Sequence, residues 1–130
     1  FCLSRGLGDV YKRQAIGDAL AETIRGKNVL LIASTDMSHY HPYEMACNMD
    51  DVALSSIKRM DMEQLMEDMS SGECELCAAG AVIATFTATR KMGADGVEIL
   101  KYANSGDVTG DKSGGVVGYF SAAIYRKAQG

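Results

Sequence analysis

Asp36, His39 and His41 fall in one short stretch, Ala33-Ser34-Thr35-Asp36-Met37-Ser38-His39-Tyr40-His41, directly after the apolar run Val29-Leu30-Leu31-Ile32. The two imidazoles are the only ones in the chain. A carboxylate three residues ahead of an imidazole can fix its tautomer and orient it, leaving the ring to move a proton or hold a metal. An apolar run ending in such a cluster predicts a buried strand at Val29–Ala33 that delivers reactive groups to the carboxyl edge of a sheet, where open α/β folds keep their ligands. The competing reading for a loop histidine is a polar surface residue, and His41 has less behind it than His39.

The second chemical group is Cys74-Glu75-Leu76-Cys77. Paired thiols at this spacing can grip zinc or form a redox disulfide, yet a structural zinc site needs four ligands and the chain has no second such pair. Cys77 also opens a strong helical pattern, and the free amides and dipole at a helix start favour a thiolate for nucleophilic or metal-binding use. A small buried hydrophobe accounts for it equally well. Ser105–Ser113 contains Gly106, Gly110, Lys112 and Ser113 but lacks adjacent Gly-Lys-Ser/Thr, so Asn104–Gly115 reads as turns rather than a phosphate loop.

These groups need a scaffold, and the hydrophobic periodicity supplies one. Ile16, Leu20 and Ile24 predict a helix over Ala15–Arg25 stopped by Gly26, and Met45, Met49, Val52 and Ile57 predict another over Tyr43–Met60 behind Pro42. Asp61–Gln64 has the form of a capping box opening a short helix that ends near Gly72, and Cys77–Met92 reads as a helix buried on most faces. Val97–Tyr102 and Val116–Tyr125 read as strands that pair antiparallel. The expected class is α/β, a sheet flanked by helices in a single domain.

Composition narrows the function. The 130 residues are 47% hydrophobic and 23% charged, enough for one globular core, and the net charge of -4 with scattered Lys and Arg argues against a nucleic-acid surface. No run approaches the roughly 20 apolar residues that cross a bilayer, and the chain start has no signal-peptide order, so no membrane and a cytoplasmic location are the expectation. Four cysteines beside eight methionines suggest free thiols and adaptable core filling rather than disulfide staples. The opening Phe1–Gln14 shows neither helical nor strand periodicity, and its Asp9-Val10-Tyr11-Lys12-Arg13-Gln14 resembles a translated sequencing adapter. Residues 1–14 are therefore expected to be a non-native segment, with native sequence from Ala15 and no biological meaning for Cys2.

Three separated motifs then act together. The 33–41 stretch, Cys-Ala-Ala-Gly-Ala at 77–81, and Tyr-Ala-Asn-Ser-Gly-Asp-Val-Thr-Gly-Asp at 102–111 followed by Val-Val-Gly-Tyr at 116–119 resemble the Memo family, and within it the branch called AmmeMemoRadiSam system protein B. The likeness covers nearly all of 15–130 and corresponds to the C-terminal half of a family member. It implies a fold like the class III extradiol dioxygenases, whose α/β pocket holds non-haem iron. It also implies that His39 matches the proton-transferring histidine, Asp36 a neighbouring pocket acid, and Cys77 a residue placed where the dioxygenases have a metal-binding carboxylate.

By the same resemblance, two further pocket histidines come from the N-terminal half, so iron or copper held here by Cys77 and His39 alone would not be bound firmly. Ala78 stands where glycine is expected and Ala81 where proline is usual. AMMECR-type and radical SAM proteins, and an unknown small molecule, are the partners implied. The reading is a metal-dependent oxidoreductase-like pocket in which Cys77 ligates, His39 transfers protons and Asp36 orients it. Its rivals are a non-catalytic protein- or phosphopeptide-binding module and a Cys-His-Asp hydrolase.

Overall fold

The computed structural model describes residues 6–128. Helix α1 spans Gly6–Ile24, α2 Tyr43–Lys58, α3 Met62–Ser71, α4 Ala79–Lys91 and α5 Ser105–Thr109, with strands β1 His39–His41, β2 Gly96–Asn104 and β3 Val116–Tyr125. The strands form one antiparallel sheet in the order β1-β3-β2. The architecture is thus mixed helix and small antiparallel sheet. Among the described residues, no helix is long and apolar enough to cross a membrane.

Local chemistry sets the helix ends. Pro42, with no N–H to lose, precedes α2 as its N-cap. The Asp61 side chain accepts from the Gln64 amide at 3.0 Å to start α3, and Gly72 ends it at φ 82°, a left-handed turn that glycine adopts without steric cost. The inward faces of α2, α3 and α4 meet through Ala53, Leu54, Ile57, Leu65, Val82 and Phe86, with Met62 and Met66 filling between them. Val97, Ile99, Tyr102, Phe120 and Ile124 of the sheet close this core from the other side.

Helix α1 runs nine residues further toward the chain start than the periodicity at Ala15–Arg25 predicts, and this corrects the expectation that residues 6–14 lack regular structure. Once the turn from Ala15 is formed, each added residue gains one backbone hydrogen bond, and no proline interrupts. Phe1–Arg5, including Cys2, lie outside the described residues. The helix approaches α4 closely at Gly17, where a Cβ would stand 2.5 Å from Thr87 Cβ.

Val29–Ala33 is not the buried strand expected. Val29, Leu30 and Ile32 are 46%, 83% and 80% exposed, and the run belongs to no sheet. The antiparallel bonding of β1 to β3 reaches as far back as Met37, whose N–H donates to the Gly118 carbonyl at 2.9 Å. Upstream of it the run diverges, leaving an apolar groove of about 540 Å³ against α4 and the Phe120–Ile124 part of β3. A strand needs a neighbour for its backbone groups, and this run has none among the described residues. The chain is therefore expected to self-associate as its concentration rises, and Leu30→Lys/Ile32→Lys to suppress this without lowering Tm. A sharp cooperative melt with concentration-independent monomer mass in sedimentation would contradict this.

Two bulges tune the sheet. Ile99 faces Ala122 and Lys101 faces Ser121, so Leu100 is an extra residue, which inverts the alternation and turns Tyr102 and Asn104 inward. His39 faces Val117 and His41 faces Val116, which makes Tyr40 the extra residue in β1, at a left-handed φ of 59°.

The region read as turns, Asn104–Asp107, opens a short helix instead. Asn104 Oδ1 accepts from the Asp107 amide while Asp107 Oδ2 accepts from the Asn104 amide, a reciprocal capping box. The Tyr43 hydroxyl, the Asn104 amide and Lys112 together hold the Asp107 carboxyl below the usual carboxylate range, outweighing slight desolvation. Since the folded pKa lies below the unfolded one, this stabilisation is complete above about pH 4 and disappears as pH falls through the folded value. Acid titrations followed by circular dichroism are expected to show a shallower loss of stability across that window for Asp107→Asn than for the wild type.

Candidate metal centre

Two backbone segments meet to build the site. The Asp36 carbonyl accepts from the Cys77 amide at 3.1 Å, and the Asp36 amide donates to Cys77 Sγ, also at 3.1 Å. One residue along, Thr35 Oγ1 accepts from the Ala78 amide at 3.0 Å and lies 3.6 Å from Cys77 Sγ. Ala78 caps α4 with no side chain to offer, so the threonine serves as the cap from a distant part of the chain. Cys77 itself lies just before the helix, one residue ahead of that cap, rather than as its opening residue.

This lock brings the predicted groups together. One donor atom from each of Asp36, His39 and Cys77 lies within 4.8 Å of the other two. His39 Nε2 is 3.6 Å from Asp36 Oδ2, with the two side chains 34% and 48% exposed. Cys77 is exposed as well, so the cluster is open to a small molecule from solvent. His41, the weaker candidate, turns elsewhere and meets Glu75 at 2.9 Å.

The segment 74–77 alternates like a strand. Cys74 and Leu76 are buried in the core, 1% and 0% exposed, and Glu75 and Cys77 reach the 35–41 segment. Burial first, then the surrounding carboxylates, push the Cys74 thiol up to about 12. A thiol this hard to ionise, packed away from its neighbour, makes the Cys74/Cys77 spacing neither a zinc grip nor a redox pair; Cys47, Cys74 and Cys77 are all free. The Ser105–Ser113 glycines likewise form helix and turn, with Asp111 accepting from the Ser113 amide and hydroxyl.

Behind the site lies a buried polar layer. Asp50, 1% exposed, accepts from the Ser38 amide at 3.0 Å and from the Tyr102 hydroxyl at 2.7 Å. Burial and this bond to a carboxylate raise the Tyr102 pKa. The Asn104 side-chain Nδ2 donates to Cys47 Sγ at 3.5 Å. Thr35, Asp50 and Glu75 went unnoticed in the sequence reading. Thr35 stood inside the quoted motif and could have been flagged by its hydroxyl, whereas Asp50 and Glu75 looked like ordinary helix and loop acids.

As a donor set the cluster mixes one soft thiolate with an imidazole and a carboxylate, the chemistry of iron, copper or zinc rather than magnesium or calcium.

Residues 6–123 match the protein family described as Memo-like protein. A MEMO1 family protein of Methanocaldococcus jannaschii is 40% identical over 98 residues, which is 75% of this chain and 34% of that protein. One from Methanosarcina mazei is 37% identical over 121 residues, 92% of this chain and 45% of the relative. A third, from Methanothermobacter thermautotrophicus, is 42% identical over 106 residues, 80% of this chain and 38% of the relative. The chain thus spans less than half the length of these relatives. With its three motifs folded onto one another and nearly its whole length matched, the chain belongs to the Memo family.

Proposed function

We propose that this chain supplies the thiolate, imidazole and carboxylate of a redox-type metal pocket in a dioxygenase-like fold, with iron or copper as the metal. The observation behind this is the approach of one donor atom from each of Asp36, His39 and Cys77 to within 4.8 Å. Bound there, such a metal would supply one-electron exchange and an open position for a small molecule. Cys77 Sγ would be the soft ligand, steadied by the Asp36 amide. His39 would ligate through Nε2 or, with the metal held by the other donors, move a proton there, and Asp36 Oδ2, 3.6 Å away, would orient the ring.

The convergence favours this reading over the Cys-His-Asp hydrolase. A relay needs the imidazole to face acid and thiol through its two different nitrogens, whereas single atoms gathered around one point are the arrangement of a chelate. Three donors give reversible binding to this chain alone, and the firm binding of a whole family member would draw further donors from the length the chain does not span. Optical titration with Co(II), whose spectrum reports thiolate ligation, tests the proposal. The expected result is saturable absorption that weakens in His39→Ala and is not displaced by excess Mg(II). Absence of any thiolate absorption at saturating Co(II), or thiol alkylation that abolishes an ester hydrolysis the chain performs without metal, would overturn it.

A further inference from the structure

Glu75 grips two parts of β1 at once. Its Oε2 accepts from the His39 amide N–H at 3.1 Å, and its Oε1 lies 2.9 Å from His41 Nε2. Two residues later the same segment carries Cys77, whose amide and sulfur bond Asp36. The adjacent amide of Ser38 is taken by Asp50 at 3.0 Å from helix α2. Two consecutive amides just before the bulge at Tyr40 are therefore each pinned by a carboxylate, one from the helix layer and one from the Cys77 segment.

We propose that Glu75 is a positioning residue for the Asp36–His39–Cys77 centre, clamping the strand that carries the imidazole to the segment that carries the sulfur; this rests on reading that centre as a metal pocket.

Three features support the clamp. First, β1 pairs with β3 along one edge, so the His39 N–H needs an acceptor from outside the sheet, and a carboxylate is the strongest available. Second, a non-glycine residue at φ 59° is strained and persists only where the flanking backbone is over-determined. The Glu75 and Asp50 bonds provide that on one side, and the close approach of Gly115 to the Tyr40 backbone provides it on the other. Third, both carboxylate oxygens of Glu75 are engaged, Oε2 by the His39 N–H and Oε1 by the His41 ring, so the side chain ties two points of β1 at once.

The test compares wild type, Glu75→Gln and Glu75→Ala by amide hydrogen exchange, thermal melting and Co(II) titration. Glutamine keeps the shape but has one acceptor oxygen for two donors. With Tm of the glutamine variant held within a few degrees, exchange at both the His39 and the Cys77 amides is expected to rise. Co(II) affinity should fall by about 10-fold or more, the usual cost of losing an outer partner of a metal ligand. Glutamine should lie between alanine and wild type. Faster exchange at His39 alone, with Cys77 exchange and Co(II) affinity unchanged, would reduce Glu75 to a local bond and overturn the proposal. If the wild type shows no thiolate–Co(II) absorption, the metal reading fails while the coupled exchange of the two amides still decides the clamp: coupling upholds it, independence overturns it.

Discussion

Gly118→Ala is expected to destabilise the chain by about 3 kcal/mol or more, at the upper end for overpacking a filled interior. A Cβ at this position would stand 1.9 Å from Asp50 Oδ2 and 2.6 Å from its carboxyl carbon. Asp50 has nowhere to retreat, because it is 1% exposed and its oxygens hold the Ser38 amide and the Tyr102 hydroxyl. Moving it would leave the buried Ser38 amide without its acceptor, at about 1–3 kcal/mol, and take the partner from the part-buried Tyr102 hydroxyl as well. Nor can the glycine move outward freely. Its N–H donates to the Ser38 carbonyl at 3.0 Å and its carbonyl accepts from Met37, which ties β3 to the stretch that carries the site. The alanine variant should therefore lose stability and, in the fraction still folded, show weakened Co(II) binding. Denaturant unfolding measures the first effect, and a midpoint equal to the wild type's would show that the close packing of Gly118 on Asp50 is wrong.

Cys77→Ser carries the second large effect, a fall in Co(II) or Cu(II) affinity on the order of 100-fold or more. Losing only an outer hydrogen-bond partner of a metal ligand costs about 10–100-fold, and the thiolate is the one soft donor of the set. Serine keeps the size and can still accept from the Asp36 amide, while Cys77 is exposed and fills no core space. Stability should accordingly change by less than about 1 kcal/mol, as for a surface substitution. The separation of the two readouts is the point of the variant. Equal metal affinity in serine and cysteine forms would remove Cys77 from the centre, and a large loss of stability would make its role structural.

Helices α2, α3 and α4 and the last two strands were legible because they answer to local rules. Apolar spacing placed α2, α3 and α4 to within a few residues, the Asp61–Gln64 cap showed its start signal, and the antiparallel pairing of β2 and β3 followed from the turn chemistry between them. The stretch from Asp36 to His39 was legible as chemistry, and the motif at Cys77 as its partner, but their approach is a long-range event that spacing alone could not give.

Other features depended on neighbours. Val29–Ala33 has the composition of a buried strand, yet burial needs a covering surface that the described residues do not provide. The extra residues Leu100 and Tyr40 could not be identified from their own segments, since which residue bulges is decided by the facing strand. Glu75 was hidden between two cysteines at a suggestive spacing. The backbone there alternates in and out, so Cys74 enters the core and the acid, not the second thiol, becomes the partner of Cys77 in shaping the site.

X-ray absorption at the copper edge, on this chain saturated with Cu(I) under anaerobic conditions, tests the shared metal site most directly. A coordination shell holding one sulfur and one imidazole nitrogen, with the sulfur absent in Cys77→Ser and the imidazole absent in His39→Ala, is the predicted result. A shell without sulfur, or one unchanged by both substitutions, would place the metal elsewhere and contradict the shared site.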